Sequence, residues 1–169
     1  LDRLALRQQE RGYCRSDDAH AASIHRLERL LHFSGGIYFG DDLQAQLQLA
    51  AHGRGLVTLR FCCQPWCFAF IREGLQRYPT EHTRFSKPLP GDTWWHHPKA
   101  PHVLEPGSAS DRHPYPVELD LPRWSVERDV DLRNWLFGFG DGVRIETPIA
   151  MQEEHRAKAA AVVALYPPC

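Results

Sequence analysis

The sequence predicts an α+β domain from Gly55 onward, and three segments carry the prediction. In residues 57–61 and 117–121, apolar and polar side chains alternate as in half-buried strands. Residues 129–139 have helical spacing and end before Gly140, with these side chains expected to point inward: Val130, Leu132, Trp135, Leu136 and Phe139. The full order is strand, helix, strand, strand, helix, strand, helix. This is the order of a ferredoxin-like αβ sandwich, an antiparallel sheet with helices on one face, followed by a tail helix.

The sequence patterns that predict the remaining elements are weaker. Residues 68–75 are expected to form the first helix, and residues 83–95 have strand character. Residues 96–116 are rich in Pro, His, Ser and Gly and predict a long loop. Residues 143–145 predict a short strand, and Pro148 opens the last helix.

The segment before Gly55 leaves two interpretations open. Residues 4–6 and 24–31 fit two strands separated by a polar turn, but the apolar residues of 24–31 also fit helical spacing. Asp41 and Asp42, followed by Leu43 and Leu47, predict a short helix with an N-terminal cap.

Composition limits the class of protein. A chain of 169 residues forms one ordinary domain, or a small domain with part of a second. A net charge of -1 argues against binding duplex DNA by charge alone. No apolar run approaches the length of a membrane span, no signal peptide opens the chain, and five cysteines suit reduced thiols in a cytoplasm. Met151 is the only methionine, so we expect a fragment or processed product.

One stretch carries a family resemblance. Residues 131–148 have the sequence DLRNWLFGFGDGVRIETP. The stretch resembles the end of the WCX module, the C-terminal extension of bacterial WYL-domain transcriptional regulators. That module has a helix of the form L-x-x-W-L-x-G-F-G, then a strand, then a proline that opens a last helix. Residues 57–61 and 68–73 look like the first strand and helix of the same module.

The same resemblance implies a domain organisation. Residues 24–29 look like the closing strand of a WYL domain, and residues 42–45 resemble its connecting helix. Residues 1–36 would then be the remnant of a small Sm/SH3-like β-barrel, residues 37–54 a connecting helix and linker, and residues 55–169 a WCX-like domain. The Trp-Tyr-Leu triplet and the earlier barrel strands are absent from the sequence.

The function implied is that of a non-enzymatic, ligand-sensing and dimerising segment of a transcriptional regulator, without a cofactor. The implied effector is a nucleotide or single-stranded nucleic acid, and operator DNA would be bound only by an upstream domain that this sequence lacks. Arg26 and His25 are the candidate contacts to an effector phosphate, and Arg60 and Arg84 would extend a basic surface across the sheet. Each of these side chains also fits a solvated or salt-bridged position.

The last helix predicts self-association. Residues 159–165 are almost entirely apolar, and a helix that is apolar on all sides needs a second surface to cover it. We therefore expect a two-fold homodimer.

Two alternatives remain: a standalone ferredoxin-like domain that binds a protein partner, and a small zinc protein. The zinc alternative would draw on Cys62, Cys63, Cys67, His96, His97, His102 and His113, but no second pair of closely spaced ligands completes the pattern. The sequence has no G-x-S-x-G, phosphate-loop or H-E-x-x-H motif, which argues against an enzyme.

Overall fold

The computed structural model describes residues 16–35, 41–52, 55–92 and 101–166. Its elements in chain order are α1 (Asp17–Ser34), α2 (Leu43–His52), β1 (Leu56–Cys63), α3 (Pro65–Gly74), β2 (Thr83–Ser86), β3 (His102–Leu104), β4 (Tyr115–Pro122), α4 (Arg123–Arg128), α5 (Val130–Phe137), β5 (Val143–Thr147) and α6 (Ile149–Ala164). The sequence predictions for residues 4–6 and 93–100 lie outside the described residues. Within the described ranges, every helix is too short or too polar to cross a bilayer.

The sheet has five strands in the order β3-β2-β4-β1-β5. β1 lies antiparallel to both β4 and β5, and β2 lies antiparallel to β4. Among the strands in the described residues, only β3 runs parallel to its neighbour, β2. The predicted α+β class is confirmed. The prediction of one continuous loop over residues 96–116 is wrong where β3 forms and where β4 begins, since three residues paired at a sheet edge leave no periodicity to detect.

The core lies between the inner face of the sheet and helices α3 and α5. It contains alternate residues of the strands, which are almost fully buried: Leu59, Phe61, Val117, Leu119, Leu121, Val143 and Ile145. Leu132 and Leu136 of α5 are completely buried, as predicted, whereas Trp135 is only half-buried. The prediction that Val130 points inward is wrong, since this first residue of α5 is 63% exposed.

Residues 24–29 lie in a helix, so their assignment as the closing strand of a β-barrel is wrong. Helix α1 begins after Ser16, whose Oγ accepts a hydrogen bond from Ala19 N at 3.3 Å. Asp17 and Asp18 lie in the first turn, where the helix dipole favours negative charge. Gly35, with φ of 64°, ends the helix in the left-handed conformation. In the described residues before β1, no strand of a barrel remnant is present.

Only the last turns of α1 join the core. Leu30 and Phe33 are buried, and the ring of Phe33 lies 6.3 Å from that of Trp124. A Cβ on Gly35 would lie 1.9 Å from Tyr78 Cδ1, so only glycine fits against this ring. The preceding turns of α1 are exposed, including Leu27 at 48%.

A corner formed by Gln64 joins the start of α3 to the start of β5. The Gln64 N–H donates to Gly142 O at 2.9 Å, and its side-chain Nε2 donates to Asp141 O at 2.8 Å. Its Oε1 accepts from Trp66 Nε1 at 3.1 Å. Gly140 permits the tight turn into this corner, because its φ of 55° is one that other residues rarely adopt.

Candidate functional site

The outer face of the sheet carries a set of charged side chains. Side chains alternate along a strand, so burial of Leu59, Phe61 and Leu119 on the inner face directs their neighbours outward. The outer-facing residues include Thr58, Arg60, Cys62, Arg84, Glu118, Asp120, Arg144 and Glu146. We refer to these residues as the sheet network.

Glu118 lies at the centre of the sheet network. It is directly opposite Arg60 on one neighbouring strand and Arg84 on the other. Arg60 Nη1 contacts Glu118 Oε1 at 2.5 Å, and Arg84 Nε donates to Glu118 Oε2 at 2.7 Å. The Glu118 side chain is 17% exposed, which makes it the least accessible charge of the three. The register of β4 between β1 and β2 therefore places Arg60 and Arg84, the two arginines predicted to form a basic surface, against one carboxylate.

Both arginines also have a second carboxylate partner. Arg60 Nε donates to Glu146 Oε2 at 2.8 Å. The guanidinium fork of Arg84 binds Asp120 through Nη1 at 2.6 Å and Nη2 at 3.0 Å. Thr58 Oγ1 adds a hydrogen bond to Asp120 Oδ1 at 2.7 Å. These charge-assisted bonds use the donors with which an arginine would grip a phosphate.

Arg144 extends the network to the loop before β4. It makes a two-point contact with Asp111, at 3.1 and 3.0 Å, and its Nη2 lies 3.8 Å from Glu146 Oε1. The hydrogen bond from Arg144 lowers the pKa of Asp111 to about 2. The three arginines of the outer face thus meet four carboxylates, on Asp111, Glu118, Asp120 and Glu146.

The pairing shifts the titration of the central acids. Burial disfavours the ionised form of Glu118, but the hydrogen bonds from Arg84 and Arg60 outweigh it and lower its pKa below the ordinary 4.5. The hydrogen bond from Arg84 lowers the pKa of Asp120 below its ordinary 3.8. The hydrogen bond to Asp120 in turn raises the pKa of Arg84. At neutral pH the carboxylates and guanidinium groups of the network are therefore charged.

The chemistry of the outer face is therefore closer to an internal salt-bridge network than to an open anion site. An incoming phosphate has to compete with the carboxylates that already bind these arginines. In the four antiparallel strands, the outer-facing side chains include no aromatic ring, so the face lacks the stacking platform on which proteins commonly bind single-stranded bases.

The structure places the other two predicted ligand contacts on a different element. His25 and Arg26 are exposed side chains of α1, whereas Arg60 and Arg84 lie on the sheet. The structure thus brings one pair of predicted residues together on Glu118 but does not join the two pairs in one site. Whether any of the four contacts a ligand stays a prediction.

The three cysteines in the described part of the chain do not converge on a metal site. Cys62 faces outward with its Sγ 3.3 Å from Glu146 Oε1, and burial raises its pKa to about 11. Cys63 and Cys67 are fully buried in the core, where their thiols donate to Tyr115 O and Gly142 O. Over the described part of the chain, no group of three or more potential ligands is arranged to hold a metal ion. His96 and His97 lie outside that part.

The acids of the network are the residues that sequence reasoning missed. Glu118 and Asp120 mark the polar side of a predicted strand, but the alternation does not reveal which residues lie opposite them. The only sequence signal for these acids is that the two strands predicted to share one sheet carry side chains of opposite charge.

Comparison of the chain with known protein families, curated proteins and solved structures finds no match.

Proposed function

We propose that this protein is a non-enzymatic self-association module, and that α6 forms the contact between two copies. The observation that carries this proposal is the exposed end of α6. From residue 156 to residue 166 every side chain is exposed, including Val163 at 72% and Leu165 at 73%. Burial of such apolar surface is the main driving force of most protein association.

The first half of α6 is fixed to the domain, so its second half projects in a defined direction. Met151 is buried, and the ring of His155 stacks on Phe137 with centroids 4.9 Å apart. Lys158 Nζ lies 4.7 Å from the centroid of the same ring. Beyond Lys158, four residues carry the exposed apolar surface: Val162, Val163, Leu165 and Tyr166.

The composition of this end favours a second copy as the partner. No charged residue follows Lys158 in α6, so two identical helices meet without like-charge repulsion. Ala159, Ala160, Ala161 and Ala164 are small, which lets two helix backbones approach closely. About ten exposed residues form a helix segment about 15 Å long, and such a pair buries less than the roughly 800 Å² per partner of a stable interface. We expect dissociation constants on the order of micromolar.

The test is the mass of the protein in solution. Multi-angle light scattering should give a dimer for the wild type at about 100 μM, within the regime expected for such a dissociation constant. Val162 and Val163 point about 100° apart around the helix, so Val162→Glu and Val163→Glu together probe both sides of α6. At least one of them should give a monomer.

Val130→Glu is the matched control, because Val130 is also exposed, at 63%, but begins α5. It should leave the dimer intact. A wild type that stays monomeric at this concentration would refute self-association. Equal effects of the control and of both α6 variants would refute the assignment to α6.

We further propose that residues 55–148 have a ferredoxin-like fold. The four longer strands support this, since β2-β4-β1-β5 is an antiparallel order in which β4 lies between β1 and β2, and β1 lies between β4 and β5. β1 and β2 are joined through α3 and are separated in the sheet by β4. β4 and β5 are joined through α4 and α5 and are separated by β1. This is the arrangement of two interlocked split βαβ units. An experimental structure with a different strand order would refute this part.

The parent protein in this proposal is a WYL-type regulator, and the support is the resemblance of residues 131–148 to the WCX module. The helical residues 24–29 weaken the resemblance in the preceding segment. The test is the reading frame ahead of Leu1. A winged helix and barrel strands encoded there would support a regulator, and an unrelated upstream domain would refute it.

A second candidate is an interaction domain for a different protein. The observation that favours it is an apolar seam on α1, where Ile24, Leu27 and Leu31 follow i, i+3, i+7 spacing and are each more than 40% exposed. A photo-crosslinking amino acid at position 27 should then give one discrete heterologous product in cells. The same group at position 130 should not. Identical products from both positions would refute this candidate.

A further inference from the structure

A cleft between α2 and α4 has the features of a small-molecule site that is distinct from both α6 and the sheet network. Its volume is about 450 Å³, within the range of roughly 300–1,000 Å³ of small-ligand pockets. Ala45, Gln46 and Leu49 of α2 line one side, and Trp124 and Arg128 of α4 line the other.

Gln46 is the first indication of a ligand. The residue is 3% exposed, yet its side-chain Oε1 is buried without a hydrogen-bond partner. A buried acceptor without a donor is unfavourable, and native proteins rarely leave one unmatched. The terminal torsion of a glutamine has a broad energy minimum, so the side-chain amide can rotate to present its oxygen to the cleft that the residue lines. A bound N–H group would supply the donor.

Trp124 is the second indication. It is half-buried, its ring contacts Phe33, and it also lines the cleft. A tryptophan ring in the wall of a cleft favours a flat ligand, and it attracts a positively charged one through its π face.

The charges of the cleft decide between ligand types. Among the described residues that line the cleft, the acids Asp41, Asp42 and Glu127 outnumber the bases Arg123 and Arg128 by one charge. Arg128 pairs with Asp41 across the cleft, and Arg123 pairs with Glu127 at 3.3 Å. Asp42 Oδ1 accepts the N–H groups of Gln44 and Ala45. The cleft therefore disfavours an anion such as a phosphate or carboxylate.

We propose that this cleft binds a small, planar, N–H-donating molecule of the amidine, guanidine or amino-heterocycle class. One N–H group of the ligand bonds to Gln46 Oε1, and its flat face lies on Trp124. This inference goes beyond the proposed self-association and does not depend on it, because no residue of α6 lines the cleft.

Three probes of almost identical shape test the proposal on the wild-type protein. Benzamidine is planar and cationic, benzamide is its neutral counterpart, and benzoate is its anionic counterpart. Titrations followed by ¹H–¹⁵N NMR should show benzamidine shifting the Trp124 indole signal, identified with Trp124→Phe, and the Gln46 side-chain amide signal. The affinity should fall in the order benzamidine, benzamide, benzoate.

Gln46→Met removes the acceptor and keeps an unbranched side chain of similar size, so the benzamidine dissociation constant should rise about tenfold. Gln48→Met is the matched control, because Gln48 is an exposed residue of the same helix outside the cleft. It should leave the affinity unchanged. The probe order is measured without any substitution, so the proposal remains testable if Gln46→Met does not fold. No shift with any probe, benzoate binding as well as benzamidine, or equal affinities for folded Gln46→Met and wild type would overturn it.

Discussion

The two faces of β1 and β4 are formed by alternate residues of the same strands but are stabilised by different forces. On the inner face, Leu59, Phe61 and Leu119 are completely buried against helices. On the outer face, Arg60 and Glu118 form ion pairs that remain partly accessible to water. Burial of a large apolar side chain contributes about 1.5–3 kcal/mol, whereas a partly exposed ion pair contributes about 0–1 kcal/mol.

The two faces therefore contribute differently to the stability of the sheet and to the alignment of its strands. Apolar side chains are similar to one another, so the inner face tolerates shifts that preserve its volume. The outer face requires that each arginine meet a carboxylate, and a two-residue slip, which keeps every side chain on its own face, would move Glu118 away from Arg60 and Arg84. We infer that the inner face supplies most of the folding free energy and that the outer face selects one strand alignment.

The largest expected effect is on the inner face. Leu119→Ala removes a completely buried side chain at the centre of the sheet and should lower the free energy of unfolding by about 2–5 kcal/mol. Denaturation with urea, followed by circular dichroism, measures the loss. A loss no larger than that of Glu118→Gln would contradict the contrast between the faces.

Trp135→Ala should have the next largest effect. A fully buried tryptophan would give a loss of about 3–5 kcal/mol, but Trp135 is half-buried, so we expect about 1–3 kcal/mol. The ring packs edge-on against Phe139 at 5.4 Å, and a Cβ on Gly74 would lie 2.6 Å from its Cζ2. Gly74→Ala should therefore destabilise the wild type more than it destabilises Trp135→Ala. Equal effects in both backgrounds would contradict this contact.

Glu118→Gln tests the outer face, with an expected loss of about 1 kcal/mol at neutral pH. The folded-state pKa values of Glu118, Asp120 and Glu146 are all lowered. Their stabilisation is therefore complete above their ordinary values of 4.5 and 3.8, and it is lost as the pH falls through the lower folded values. Unfolding free energies measured from pH 7 to about pH 3 should fall less steeply for Glu118→Gln than for the wild type. Parallel curves would show that Glu118 is not paired in solution.

Arg26→Ala should have the smallest effect on stability, within about 0.5 kcal/mol, because Arg26 is an exposed residue of α1. If Arg26 contacts an effector phosphate, the substitution should weaken binding of labelled single-stranded DNA to the parent protein roughly tenfold or more. Arg60→Ala should change this affinity little, since Arg60 is already paired with Glu118 and Glu146. Titrations at low and moderate salt distinguish these outcomes, and unchanged affinity for Arg26→Ala would remove it from the site.

Local patterns in the sequence were sufficient to predict the elements that pack directly on the core. Alternation in residues 57–61 and 117–121 located β1 and β4, and helical spacing in residues 129–139 located α5. Residues 24–31 fitted both a strand and a helix. The capping of α1 by Ser16, together with its exposed seam, is consistent with the helical alternative that the family resemblance set aside.

Features that depend on distant parts of the chain were beyond local patterns. Arg60 and Glu118 are separated by 58 positions, and only the register of β1 against β4 brings them together. The buried oxygen of Gln46 gives no signal at all in the sequence, because glutamine is an ordinary residue of an amphipathic helix. Such contacts require the tertiary structure.

The Gln64 corner has a consequence for how the domain opens. One residue, through its backbone N–H and both ends of its side-chain amide, connects the first helix of the sheet domain to the turn before its last strand. These hydrogen bonds join segments that are far apart in the chain, and local unfolding of either segment would break them. Hydrogen exchange at the Gln64 amide should therefore report cooperative, sub-global opening rather than fraying of a helix end. The two halves of the sheet domain would behave as one folding unit.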